Sequence, residues 1–262
     1  MGMADEQNHE LNKAEPKKIE IRVRRQDGPG GDASWEEFSL PWKAQHNVIS
    51  LLMAIQAEPV NAAGQATRPV VWDCNCLEEV CGACTMIVNG RVRQACTALA
   101  DDLEQPIQLE PMSKFPVLRD LSVDRSRMFE KLKDVHAWVQ LDGSHDLGPG
   151  PRQSAATQEQ TYAFSRCMTC GCCLEACPQY NDDSEFMGAN ALGQVFLFNL
   201  NPIGAVQSEE RLDTIMGRGG LSDCGNAQNC VEACPKDIPL TKAIASLGRD
   251  VTVKSLRDLL GR

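Results

Sequence analysis

The stretch Cys167-Met168-Thr169-Cys170-Gly171-Cys172-Cys173-Leu174-Glu175-Ala176-Cys177-Pro178 spaces four cysteines as C-x2-C-x2-C-x3-C and ends them on a proline. This is the ligand run of bacterial iron–sulfur sites, and where two clusters share a module the fourth cysteine serves the other cluster. A second run is therefore required. Cys224, Cys230 and Cys234-Pro235 supply it, with Ala227 where a cysteine is expected. Crossing the ligands gives unequal sets. Cys167, Cys170, Cys173 and Cys234 are expected to hold a [4Fe–4S] cluster. Cys177, Cys224 and Cys230 are left with three thiolates, enough for a [3Fe–4S] centre that lacks the iron opposite Ala227, since a methyl group cannot bind iron. A fourth iron carrying water is the alternative at that corner. Cys172 is off the pattern and is expected to be a packed free thiol. Pro178 and Pro235 can also be read simply as ends of helical turns.

Upstream, Trp72-Asp73-Cys74-Asn75-Cys76-Leu77-Glu78-Glu79-Val80-Cys81-Gly82-Ala83-Cys84 contains C-x4-C-x2-C, and Cys96 follows at a distance. Cys76, Cys81, Cys84 and Cys96 match the plant-type [2Fe–2S] spacing. Gly82 lets backbone amides approach the cluster sulfur, where donated hydrogen bonds raise the potential. Zinc is the competing metal, but structural zinc usually takes two C-x2-C pairs and one is present here. Cys74 is a surplus thiol, expected to be buried or incidental, with a ligand role as the alternative to Cys76.

The first module reads as a small sheet. Ile19, Ile21 and Val23 alternate with charged residues, the mark of a half-buried strand. Asp27 to Gly31 is a turn, and Trp35, Phe38 and Leu40 suggest the return strand. Asn47 is placed to cap a helix whose apolar face is Val48, Leu51, Leu52 and Ile55. Val70-Val71-Trp72 is expected to begin another strand. Asn89-Gly90 signals a hairpin, and Ile107 and Leu109 mark a last short strand. A hairpin, a helix and further strands predict a β-grasp module over 18–121, after a mobile tail at 1–17. Residues 122–262 predict an all-helical module, so the fold class is α+β. There Met128, Phe129, Leu132 and Val135 share a face, 141–160 reads as a loop, and helical stretches begin at Gln158. Ala191–Leu200 reads as a buried helix or, alternatively, a partner-facing one.

Composition narrows the function. The 262 residues carry a formal charge of −10, which argues against nucleic acid, whose binders need a basic footprint. No apolar run approaches the roughly 18–20 residues of a membrane span. The N-terminus lacks an apolar signal core, and Arg24-Arg25 does not open an export signal. A reducing compartment is the expectation, where 13 cysteines mean metal or redox chemistry more than disulfides.

In their order along the chain, these motifs resemble the iron–sulfur subunit of succinate dehydrogenase and fumarate reductase, from about Ile19 onward. The stretch Cys76 to Cys84, with Val88-Asn89-Gly90 and Gln94-Ala95-Cys96, looks most like members from menaquinone-using bacteria. The resemblance implies a flavoprotein partner with FAD that oxidises succinate. It also implies single electrons passing through [2Fe–2S], [4Fe–4S] and [3Fe–4S] to a quinone at a membrane-anchor subunit of cytochrome b type. In that picture the chain binds no succinate and lies peripherally on the cytoplasmic face of the membrane, with Pro178 on the quinone side. Ubiquinone-reducing relatives commonly carry a tryptophan pair after the Cys-Pro and a histidine after the first cysteine of the second run. Here Asn181, Asp182 and Gly225 stand there, which points to menaquinone. The direction, succinate oxidation or fumarate reduction, stays open. A free-standing ferredoxin-type carrier is the competing function.

Overall fold

The computed structural model describes residues 17–140 and 151–261. The chain begins with β1 (Lys18–Arg25), which turns back antiparallel into β2 (Ser34–Pro41) through the expected turn at Asp27–Gly31. Ile19, Ile21 and Val23 point into the core from one face of β1, as period-2 alternation requires. Asn47 then caps α1 (Val48–Ala57). Its side chain accepts from Ser50 N, and Ser50 Oγ returns to Asn47 N, a closed capping box. The hairpin is β3 (Thr85–Val88) and β4 (Arg91–Gln94), with Asn89 and Gly90 both at positive φ, the conformation that a two-residue turn between twisted strands needs. β5 (Ile107–Glu110) enters between β1 and β3, parallel to the first and antiparallel to the second. The sheet order is β2-β1-β5-β3-β4, and the apolar face of α1 is buried in the same core as its inner face, which is the expected grasp.

The expected strand at Val70-Val71-Trp72 is extended chain outside any sheet. Val71 O accepts from Leu121 N, and side chains take neighbouring backbone groups. Arg25 ends β1 facing inward and pairs with Glu36 at 2.6 Å and Asp120 at 3.0 Å, while donating to the carbonyl of Arg68. Asp120 in turn accepts from Gln26 N and Val71 N. Nor is Ile107–Leu109 the last strand. A small hairpin, β6 (Val117–Arg119) and β7 (Ser122–Val123), follows it. Leu121 packs in the first core, whereas Met112, Phe115 and Val123 pack in the second.

The second core is helical. α2 (Ser126–Asp134) buries Met128, and Val135 just beyond it, but leaves Phe129 49% exposed. Phe129 is therefore not on the expected inward face; it leans over a groove lined by Asp73, Cys74 and Leu118. α3 (Ala155–Ser165) begins three residues before the expected helical stretch because Ser154 caps it, accepting from Thr157 N. Of the expected loop, 141–150 lies outside the described residues, as does 1–16 of the expected tail; Lys17 O accepts from Trp42 N. α4 (Cys172–Glu175) is a single turn. α5 (Ala189–Leu200) is buried along its first two turns, as expected, and half-exposed over Leu197–Leu200. α6 (Ser208–Met216), the single turn α7 (Asn229–Glu232) and α8 (Leu240–Leu259) complete the bundle, and α5 packs on both α6 and α8. Gly193 permits close helix contact, since a Cβ there would lie 2.9 Å from Leu240 Cδ2. Among the described residues no helix is long and apolar enough to cross a membrane.

Candidate metal centres

The first loop aims backbone N–H groups at sulfur. Cys76 Sγ accepts from Glu78 N at 3.4 Å and from Val80 N and Cys81 N at 3.3 Å. Cys81 Sγ accepts from Ala83 N at 3.4 Å. The loop manages this by placing Leu77, Glu79 and Gly82 at positive φ, so that successive amides turn inward and form an anion-binding concavity. The amides of Glu78 and Val80 hold the Cys76 thiol down to about 7, already half ionised near neutrality. The β3–β4 hairpin supplies the other pair. Cys84 precedes β3, Cys96 sits in the 3-10 turn after β4, and Ala95 N donates to Cys84 O. Burial, and next the hydrogen bond to Cys84, push the Cys96 thiol up to about 12. Cys74 is exposed, which corrects the expectation of burial. It leaves the extended 70–73 segment toward the groove under Phe129, and burial of its few covered atoms still raises its thiol.

The two cysteine runs of the second module share one backbone. Gly171 and Gln228 occupy the same place at positive φ, as do Thr169 and Asn226. Leu174 N donates to Gly171 O as Val231 N does to Gln228 O, and Cys177 N donates to Leu174 O as Cys234 N does to Val231 O. Each run wraps a cavity and sends its last cysteine to the other. Cys167, Cys170, Cys173 and Cys234 line a small cavity, with Cys172 also at its wall. Cys177, Cys224, Cys230 and Ala227 line another, together with Pro178. Ala227 lies at the wall of the second cavity, the one with three thiols.

The surroundings fit thiolate-ligated clusters. Burial pushes the thiols of Cys167 and Cys173 up, and that of Cys230 up to about 11, so metal binding must expel their protons. The Cys172 thiol donates to Cys170, which lowers Cys170 and correspondingly raises Cys172; the Arg125 charge lowers Cys170 further. Among the described residues no three His, Cys, Asp or Glu side chains close on a single ion position; the thiols stand around cavities instead.

Contacts between the modules join the centres. Gly82 lies against the second run so closely that a Cβ there would sit 2.8 Å from Cys170 Cα and Cβ. That contact, as well as its φ of 72°, explains the glycine. Arg125 donates to Gly82 O at 2.6 Å, Ala83 O at 2.8 Å and Cys170 O at 3.4 Å, bolting both cysteine loops with one guanidinium. Gln94 accepts from Cys84 Sγ and donates to Cys172 Sγ at 3.5 Å and Thr85 Oγ1 at 2.7 Å. Cys172 is fully buried in this bridge, the packed thiol expected.

Family models match both modules: a 2Fe-2S iron–sulfur cluster binding domain over residues 20–130 and a 4Fe-4S dicluster domain over 163–238. The succinate dehydrogenase iron–sulfur subunit of Bacillus subtilis is 55% identical over 248 residues, covering 95% of this chain and 98% of that one. The chain belongs to the family of succinate dehydrogenase and fumarate reductase iron–sulfur subunits. The fumarate reductase iron–sulfur subunit of Wolinella succinogenes is 32% identical, over 68% of this chain and 76% of its own. A chain of the Mycobacterium smegmatis Sdh1 complex shares the fold, with a TM-score of 0.78 at 22% identity, covering 91% of this chain and 97% of that one. Membership makes this an electron-transfer subunit of an oxidoreductase, bearing iron–sulfur clusters of the [2Fe–2S], [4Fe–4S] and [3Fe–4S] kinds.

Around Gly225 and Asn181, polar turns and close packing shape the chain. Gly225 lies beneath Gln179, whose Nε2 would be 2.7 Å from an added Cβ. Asn181 turns its side chain onto Pro178 O and Asp183 N. Arg125 and Gln94 were not singled out as site residues by sequence reasoning. Their partners are carbonyls and thiols distant in sequence, and no local spacing marks them.

Proposed function

We propose that this chain carries electrons one at a time from a succinate-oxidising FAD flavoprotein to a membrane quinone. In this reading Cys76, Cys81, Cys84 and Cys96 hold the [2Fe–2S] cluster, Cys167, Cys170, Cys173 and Cys234 the [4Fe–4S] cluster, and Cys177, Cys224 and Cys230 the [3Fe–4S] cluster. Bound there, the three clusters supply one-electron carriers in series. The chain's own work is to place them. Gly82, Arg125 and Gln94 press the first loop onto the second, and α4 reaches from the four-thiol cavity to the three-thiol one.

One observation carries this reading: a repeated backbone whose second copy has Ala227 where the first has Cys170. Two neighbouring sites of one architecture thereby acquire different ligand counts, and cluster type with net charge sets potential. The residues 225–229 beside the three-thiol cavity are exposed, and with Pro178 they form the face we assign to the membrane anchor. In this reading the chain lies peripherally on the cytoplasmic side of the membrane. Gly225 and Asn181, in place of histidine and tryptophan, favour menaquinone.

Purification of the native complex tests this. A flavoprotein and a membrane subunit should accompany the chain, and succinate should reduce a menaquinone analogue. Isolation of the chain as a free carrier, or a strong ubiquinone preference, would contradict the respective parts. Fumarate reductase is the second reading, supported by relatives of that name. Potentials of the clusters against the quinone pool decide between the two directions.

A further inference from the structure

The four-thiol cavity has one wall that its cysteines do not explain. Asn190 is only 3% exposed, and among the described residues neither Nδ2 nor Oδ1 has a hydrogen-bond partner. It is the second residue of α5 and lines the cavity together with Cys167, Cys170, Cys173 and Cys234. The residue before it, Ala189, lines the three-thiol cavity instead. The start of α5 thus stands between the two sites and presents a carboxamide to one and a methyl group to the other.

A buried amide without partners is costly, so such a group needs an explanation. The first turn of α5 holds it in place, and Gly188 makes room: a Cβ there would approach Leu174 Cδ2 to 2.1 Å and Asn190 Oδ1 to 3.2 Å. Rotating the carboxamide by a half turn exchanges its two atoms within the same space, so an N–H donor can face the cavity in either assignment. Sulfide and thiolate sulfur accept hydrogen bonds and have no proton to donate.

We propose that the Asn190 carboxamide donates a hydrogen bond to sulfur of the cluster in the four-thiol cavity and raises its reduction potential. This rests on the assignment of Cys167, Cys170, Cys173 and Cys234 to a [4Fe–4S] cluster. Reduction adds one electron and one negative charge to the cluster. A donor already aimed at sulfur stabilises that charge more than it stabilises the oxidised form. No bond is made or broken and no proton is transferred. On α5 the three-thiol site meets Ala189 and not Asn190, so the effect of Asn190 is confined to one cluster.

The test is a redox titration followed by electron paramagnetic resonance (EPR) on the intact complex, comparing wild type with Asn190→Leu, Asn190→Ala and Asn190→Ser. Leucine keeps the branched shape without the donor. Alanine removes the donor with the least demand on packing, and serine keeps a donor. The [4Fe–4S] centre of the leucine and alanine variants should be reduced about tenfold less at a fixed potential, equivalent to about 59 mV for one electron. Serine should recover part of the shift, and the other two centres should not move. An unchanged [4Fe–4S] potential in a variant that retains the cluster would overturn the proposal, as would an equal shift of all three centres. A wild-type complex with no [4Fe–4S] signal would sink the ligand assignment itself, and the proposal with it.

Discussion

Residues 168–171 and 225–228 follow the same backbone path, down to the pair of left-handed residues in each, yet they live in opposite surroundings. The first loop is covered by residues of both modules. Gly82 lies against Cys170, Arg125 donates to its carbonyl, and Phe115 and Met112 sit within 3.5 Å of a Cβ built on Gly171. The second loop is bare, with Gly225 to Gln228 all exposed. Cysteine spacing and a tight left-handed turn dictate the path. One side chain, and what covers the loop, dictate the chemistry. A buried four-thiol site is suited to passing electrons onward inside the protein, and an exposed three-thiol site to meeting a partner.

Making the two loops alike gives the largest expected effect. Ala227→Cys restores the fourth thiolate, and the [3Fe–4S] signature should give way to a [4Fe–4S] cluster of lower potential, read by EPR and iron content. A retained [3Fe–4S] signal would mean that residue 227 does not face the missing corner.

Next comes the roof over the first loop. Gly82→Ala forces a methyl group to 2.8 Å from Cys170 while φ stays near 72°, so backbone must move. A loss of about 2–4 kcal/mol is expected, from overpacking together with an alanine at positive φ. Chemical denaturation measures it. A loss under about 0.5 kcal/mol would mean that the two loops are not in contact. The corresponding Gly225→Ala meets only the side chain of Gln179, which can turn away, and should cost much less.

Arg125→Gln removes a half-buried cation and most of three hydrogen bonds to carbonyls. Hydrogen bonds to charged groups contribute about 1.5–3 kcal/mol each, so the modules should loosen by about that much. The [2Fe–2S] and [4Fe–4S] potentials should both fall, and the [3Fe–4S] potential should hold. Redox titration of the three centres checks the pattern, and an equal change in all three would remove Arg125 as a local bolt.

The smallest effect belongs to Cys172→Ser. The residue is buried but off the ligand pattern, and serine keeps a donor for Cys170 and an acceptor for Gln94. All three clusters should remain, with stability lowered by about 1 kcal/mol. Loss of a cluster would promote Cys172 to ligand.

Much of this architecture was legible from sequence because its signals are local or repeated. Ile19, Ile21 and Val23 alternate, Asn47 caps, Asn89-Gly90 turns, and the cysteine runs recur with one gap. What escaped depends on distant partners. Val70-Val71-Trp72 has strand-like residues, but Asp120 takes the Val71 N–H that a neighbouring strand would need. Phe129 falls on an apolar stripe whose edge happens to overhang a groove. Arg125 and Gln94 act on atoms that only folding brings near. Leu77, Glu79 and Gln228 adopt positive φ without being glycine, which residue type alone does not announce. Asn190 was not singled out, because it stands just before the apolar stretch Ala191–Leu200 and only the cavity beside it gives its carboxamide a role.

The most direct test is spin quantitation by EPR of the purified native complex, first oxidised and then progressively reduced. One [3Fe–4S] signal in the oxidised protein, and one [2Fe–2S] and one [4Fe–4S] signal on reduction, each at one spin per chain, is the predicted result. Two identical four-iron centres in the second module, or fewer than three centres in all, would contradict the claim that a single missing sulfur makes neighbouring sites of one design into different metal centres.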